Sequence, residues 1–352
     1  MTTIKDIARE AGISFQAVAA VLSNRGTSRV SDATRARVEE IAQKLGYRPS
    51  FGYKLFRKQR TATVAIVSAM RRFDGEEHLQ TLCLRLMDAF NRLGYATYYD
   101  NSLTMDAHEN LGRMHELISR GASHFVFIGA PMGHLEILAE LDKHGLSYIG
   151  TDTYIPRHVM PNSQDAIKKV IRHLRSCVGE NYRLAIPMSG RPVTFNSLRI
   201  GALHPVYPEA TVEELLERFV TPLPELTWDE EDYRTRMFQF GYEGAQKVMR
   251  EHPNVRAIMF LSDDYAHGGA AWLHQQGYRL GEDFLVAGHN YDYTTQFSPH
   301  PIISVAFPLQ EMVNALSTHA LDNAPCQIKL DLSTVFHGKF KSQWQHKTEQ
   351  FP

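Results

Sequence analysis

Apolar residues along the first 47 positions recur at helical spacing. Ile4, Ile7, Ala8 and Ala11 fall at i, i+3, i+4 and i+7, which predicts a short amphipathic helix. Thr3 stands in N-cap position with Asp6 three residues on, and Gly12 supplies the backbone freedom to end the helix. Ser14 then caps a second helix in which Val18, Val21 and Leu22 form the buried stripe, leaving Phe15, Gln16, Ala19 and Ala20 to face outward. Two helices this close read as a helix-turn-helix, whose second helix is shaped to enter a DNA major groove. Such a pair is too small to bury a core alone. A third helix capped by Ser31, with Val38, Ile41, Ala42 and Leu45 on one face and Gly46 as its stop, closes it.

From Thr63 the period changes. Val64–Val67 is an apolar run of strand length, followed by a helix with Leu79, Leu82, Cys83, Leu86, Phe90 and Leu93 on one face. The unit repeats. Strands are expected at Ala96–Tyr99, Phe125–Ile128 and Tyr148–Gly150, with helices at Leu111–Ile118 and Leu135–Leu141. A second series has helices at Ala166–Leu174, from Asn196, at Phe240–Met249 and at Ala266–Gln276. Its strands are at Leu184–Ile186, near Phe219, at Ala257–Leu261 and at Phe284–Ala287. Alternation of this kind implies two parallel α/β halves facing across a cleft, with ligand chemistry in the loops after the strands.

Charge divides the chain at the same place. Residues 1–60 hold 12 Lys/Arg against 5 Asp/Glu; taking these from the chain totals of 38 and 39 leaves 26 basic and 34 acidic residues beyond. A basic head on an acidic body suits a phosphate-binding module attached to a separate sensor. Cys83, Cys177 and Cys326 are widely spaced and make no CxxC pair, consistent with a reducing compartment. No run approaches the length of a membrane span and no signal segment precedes Thr3, so a cytoplasmic location is expected.

The run TIKDIAREAGIS, then AV and VLSN, then VSDATRARVEEIAQKLGYRPS resembles the N-terminal domain of the lactose/galactose repressor family of bacterial transcription regulators. The resemblance implies an all-α helix-turn-helix head joined by a hinge helix to a two-subdomain α/β body like that of periplasmic sugar-binding proteins. The expected boundaries are 1–47 for the head, 48–60 for the hinge and 61–340 for the body, with 341–352 as a tail. The body divides into a first half of about 61–160 plus 307–325 and a second of about 161–306 plus 326–340. It further implies a homodimer on a near-palindromic operator, with no cofactor and no metal. DNA contacts are expected from Thr3, Ser14, Phe15, Gln16, Ala19, Ala20, Asn24 and Arg29 of the head and from Ser50, Tyr53, Lys54, Phe56 and Arg57 of the hinge. Phe56 matches the leucine that the family pushes into the minor groove, a role open to phenylalanine. The other reading of 48–60 is a basic linker with no fold of its own. Ala19 and Ala20 replace a serine and an arginine common in the family.

In the body, Arg199 with Gly201 matches the family's effector-contacting arginine-x-glycine. Asp263 in SDDYAHGG matches a retained aspartate, and Asn290 in GHNYD stands where the family's sugar-binding aspartate sits. Phe73, Arg236 and Tyr291 complete the expected effector set on no distinctive motif. Arg, Asp, Asn and aromatic rings around one cleft suit a carbohydrate-like ligand; Arg199 would equally hold a carboxylate or phosphate. Arg199 and Asp263 also read as structural ion-pair or capping residues. There is no HExxH, no zinc-spaced His/Cys cluster, no P-loop and no nucleophile elbow, so an enzyme reading has little to stand on. Two further readings remain, a sugar sensor whose head binds DNA without sequence preference and an α/β enzyme with an appended head.

Overall fold

A computed structural model describes residues 2–22, 30–47, 63–69, 76–178, 183–189, 201–224 and 233–341. The chain divides into two compact units, Met1–Thr61 and Ala62–Pro352. The expected hinge (48–60), the helix from Asn196 and all but the first residue of the tail lie outside the described residues.

The head holds α1 (Ile4–Ala11), α2 (Phe15–Leu22) and α3 (Asp32–Lys44). Ile4, Ile7, Ala11, Val18, Val21, Val38 and Ala42 bury their side chains together. Both ends of α1 are built as the sequence suggests, with a Thr3–Asp6 capping box and Gly12 in the left-handed conformation at φ 64°. Ser31 Oγ accepts from Thr34 N–H at the start of α3. One expectation fails here. Ala19 is only 2% exposed and belongs to the core, whereas Gln16 and Phe15 are exposed. The buried stripe of α2 is wider than Val18, Val21 and Leu22 because α2 packs on α1 and α3 at once, and the small methyl of Ala19 lets them approach.

The second unit is two six-stranded sheets. The first, in the order β11-β5-β4-β3-β1-β2, holds β1 (Thr63–Ser68), β2 (Ala96–Asp100), β3 (His124–Ile128), β4 (Ser147–Gly150), β5 (His158–Pro161) and β11 (Gln327–Leu330). The second, in the order β12-β10-β9-β8-β6-β7, holds β6 (Arg183–Ser189), β7 (Val220–Leu223), β8 (Val255–Met259), β9 (Leu285–Ala287), β10 (Ile302–Ala306) and β12 (Ser333–His337). All pairings are parallel except that of β10 with β12. Helices cover the faces: α4 (Glu77–Arg92), α5 (Ala107–Ser119), α6 (His134–Lys143) and α12 (Leu309–His319) in the first half, α7 (Ser163–Val178), α8 (Val212–Phe219), α9 (Tyr233–Glu251) and α10 (Asp263–Gln275) in the second. A short turn of helix, α11 (Tyr293–Gln296), follows β9. Because both faces are covered, β1 is buried at every position, and its middle, Val64–Val67, reads as an unbroken apolar run.

The chain crosses between the halves after β5, after β10 and again between β11 and β12. The last crossing corrects the expected boundary, which gave 326–340 to the second half. β11 pairs with β5 in the first sheet, from Gln327 beside His158 to Leu330 beside Pro161. Its QIKL sequence is partly exposed, so no local pattern marks which sheet receives it. Leu93 is 56% exposed at the C-cap of α4 and is not core, while the strand expected near Phe219 is β7, which starts at Val220 directly after Phe219 ends α8. Periodicity also left β5, β10, β11, β12, α8, α11 and α12 unassigned. Among the described residues no helix is long and apolar enough to cross a membrane.

Two helix-embedded glycines set the closest approach in the second half. A Cβ on Gly241 of α9 would lie 1.9 Å from Tyr265 O, and one on Gly268 of α10 would lie 1.9 Å from Phe238 O. Each helix thus presents bare backbone to the carbonyl of the other.

Candidate DNA-reading helix and ligand cleft

On the head, α2 presents Ser14, Phe15 and Gln16 to solvent, with Ala20 half-buried beside them. Ser14 Oγ accepts from Ala17 N–H at 3.2 Å, which fixes the start of the helix. Thr3 is exposed, but its hydroxyl is engaged: Oγ1 donates to Asp6 Oδ2 at 2.7 Å, and Thr3 N–H reaches the same oxygen at 2.9 Å. These bonds, together with Arg9 at 2.8 Å, hold the Asp6 carboxyl below the usual carboxylate range. Exposed Phe15 and Gln16 on a capped helix have the chemistry that base-edge contact needs: an apolar face for a thymine methyl and an amide for adenine. Asn24, Arg29, Ser50, Tyr53, Lys54, Phe56 and Arg57 lie outside the described residues, as do Phe73 and Arg199.

Asp263, Asn290 and Tyr291 do converge, at the carboxyl ends of β8 and β9. Arg236 is exposed on α9. Asp263 is the first residue of α10 and is fully buried. Its carboxylate accepts from Ser304 Oγ at 2.8 Å, Thr295 Oγ1 at 2.7 Å and Asp292 N–H at 3.1 Å. Burial, reinforced by the Asp292 carboxylate, pushes its pKa up to about 7 against the pull of these donors. Gly288 is required beside it, since a Cβ there would meet Asp263 Oδ1 at 2.2 Å.

With the Thr295 hydroxyl proton directed at Asp263, the neighbouring His267 Nε2, 3.0 Å from Thr295 Oγ1, is matched to that oxygen as a donor in its Nε2–H tautomer. Burial first, and the nearby His300 and His337, lower the His267 pKa to about 4 and keep the ring neutral. Asp263 therefore serves as the anchor of the 288–295 segment, the structural alternative open in the sequence, and its oxygens are engaged inward.

That segment is held in an unusual backbone. Asn290 and Tyr291 are the two non-glycine residues with positive φ among the described residues, at 103° and 51°. Asn290 N–H donates to Val305 O at 2.8 Å and its carbonyl accepts from Phe307 N–H at 3.0 Å; Tyr291 N–H donates to Ser304 Oγ at 3.0 Å. Strain of this kind persists only where surroundings over-determine it, and it clusters at ligand sites. The Asn290 side chain is 3% exposed, its Oδ1 lies 2.7 Å from His289 Nδ1, and its Nδ2 has no partner among the described residues. Sequence reasoning missed Thr295, Ser304, His267 and His289. They lie up to 41 positions from Asp263 and no local motif marks them.

Residues 3–50 match the profile described as "Bacterial regulatory proteins, lacI family". The HTH-type transcriptional regulator TreR of Salmonella typhimurium is 31% identical over 281 residues, covering 78% of this chain and 79% of that one. The chain belongs to the lacI family. Members of this family are DNA-binding transcription regulators, not enzymes. At the level of fold, the lac repressor dimer bound to operator and the anti-inducer ONPF superposes with a TM-score of 0.72 at 16% identity, covering 97% of this chain and 99% of that one. A transcriptional regulator CelR–cellobiose complex superposes at 0.61 with 18% identity, covering 96% and 99%. Within the family, α1 and α2 are the helix-turn-helix.

Proposed function

We propose that this lacI-family regulator is a homodimeric repressor that reads a near-palindromic operator and is released or recruited by a small carbohydrate-like effector in the body cleft. Two heads meet two half-sites because the dimer and the operator share a two-fold axis. Base reading falls to Gln16 and Phe15, with Thr3, Ser14, Ala20, Asn24 and Arg29 along the backbone and Ser50, Tyr53, Lys54, Phe56 and Arg57 in a hinge that orders on DNA. Ala19 is withdrawn from this set because it is buried. The effector set is Arg199, Asn290, Tyr291, Phe73 and Arg236, with Asp263 holding the 288–295 segment. The cytoplasm is the place for such a protein.

One observation carries the cleft reading: a buried amide, Asn290 Nδ2, without a partner on a strained segment at the end of β9. A buried polar group left unsatisfied costs on the order of 1–3 kcal/mol, which a ligand hydroxyl, carbonyl or carboxylate would recover. The cellobiose bound to CelR, a protein of the same fold, supports a sugar as the class.

The test is selection of genomic fragments by the purified full-length protein, with and without a panel of sugars, sugar acids and sugar phosphates. A palindromic site whose retention changes with one compound is the expected result. Retention that falls steeply with salt and shows no sequence preference would instead identify a sensor bound to DNA through phosphates alone.

A further inference from the structure

The two halves of the body touch through residues at the starts of two helices. Tyr293 N–H, at the start of α11 in the second half, donates to Glu77 Oε1, at the start of α4 in the first, at 2.7 Å. Beside it, His78 Nδ1 stands 3.3 Å from Asp292 Oδ1. The His78 ring also lies 4.9 Å from that of Phe307, on the crossing that follows β10.

This contact is mechanically continuous with the strained segment. Gly288 N–H is bonded to Ile303 O, Asn290 to Val305 and Phe307, Tyr291 to Ser304, and Asp292 N–H to Asp263. Between Asn290 and Tyr293 every backbone N–H is committed, so the segment has no slack. A ligand that shifts Asn290 must either break these buried bonds or carry Asp292 and Tyr293 with it. The Tyr293–Glu77 bond is the weaker choice, because Glu77 is half-buried and Tyr293 is exposed, whereas the His78 and Asp292 side chains beside it are nearly closed to solvent.

We propose that Glu77 and His78 with Asp292 and Tyr293 form a strap that sets the angle between the halves, and that occupancy at Asn290 acts on the DNA-binding head by tightening or releasing it. The coupling arm rests on the effector reading above; the strap itself does not. These are positioning residues. They shift the balance between two arrangements of the body without touching DNA.

The test is pulsed dipolar spectroscopy on the full chain, with spin-labelled unnatural amino acids at exposed Leu135 and Arg250, one on each half, leaving Cys83, Cys177 and Cys326 in place. In ligand-free protein, Glu77→Ala with His78→Ala is expected to shift or broaden the distance distribution, whereas Glu77→Gln, which keeps an acceptor oxygen, is expected to leave it as in wild type. The double variant should also change affinity for the selected operator fragment by about 5-fold or more, the lower end of ordinary coupling between sites, while the exposed Gln80→Ala does not. A distribution identical to wild type overturns the strap. A shifted distribution with unchanged fragment affinity overturns its coupling to DNA. Neither outcome bears on whether the effector binds at Asn290, which Asn290→Ala tests separately through loss of the ligand response.

Discussion

Asp263 and Thr295 meet at 2.7 Å in the interior of the second half, the hydroxyl donating to a carboxylate from which solvent is fully excluded. The carboxylate orders a segment that starts 25 residues further along the chain, from Gly288, and it does so at the cost of holding an acid away from water.

That cost gives Asp263 a pH signature. Its folded pKa, about 7, lies above the ordinary 3.8, so the folded state binds more protons between those values. The stabilisation is complete below the unfolded pKa and is lost as pH rises through about 7. Asp263→Asn removes this dependence but sets the two hydrogens of an amide among three donors, where the protonated acid has one, so it should cost about 1–3 kcal/mol in mild acid. The gap to wild type should narrow from pH 6 to pH 8.5 in denaturant titrations, and a constant gap would contradict the assignment.

His267 runs the other way. Its pKa falls from 6.5 to about 4 on folding, so its contribution is present above 6.5 and is lost as pH falls toward 4. In wild type this trend opposes that of Asp263 over the same range. His267→Gln, which keeps a donor for Thr295, should leave a protein whose stability no longer falls on this account in acid. Imidazole ¹⁵N shifts of wild type should show His267 neutral at pH 5.5 with its hydrogen on Nε2; a charged ring there would refute the lowered pKa, and a bare Nε2 would refute its donation to Thr295.

Gly268→Ala places a methyl 1.9 Å from the Phe238 carbonyl and should destabilise by about 1–3 kcal/mol or more, by overpacking two helices that cannot separate. Gly112→Ala, in α5 with open space around it, should instead stabilise by about 0.4–1 kcal/mol. Thermal unfolding of the pair distinguishes close packing from helix propensity.

Ala19 and Ala20 are neighbours with opposite expectations. Ala20→Arg should be accepted by the head and add affinity for guanine-containing sites, while Ala19→Arg should unfold the head by driving a charge into the core made with Val18 and Val38. Circular dichroism and operator binding of the full chain check both.

Gln16→Ala is expected to remove about 1–3 kcal/mol of discrimination at one base while leaving random-DNA affinity nearly unchanged. Phe56→Ala is expected to weaken operator binding far more than random-DNA binding. Equal losses on the two DNAs would return residues 48–60 to a plain linker.

The sequence by itself determined the three-helix head, its caps at Thr3, Ser14 and Ser31, and the strand–helix alternation of the body, because these depend on contacts within a few residues and on the period of apolar positions. It also pointed to Asp263 and Asn290 through a family resemblance. Tertiary structure alone decided that Ala19 is core, since two helices press on α2 at once, and that β11 joins the first sheet, since its partner β5 lies far back in the chain. It alone decided the role of Asp263, whose donors come from Asp292, Thr295 and Ser304. Bonds between residues so distant in sequence have no period and no spacing; only the folded chain brings them within reach.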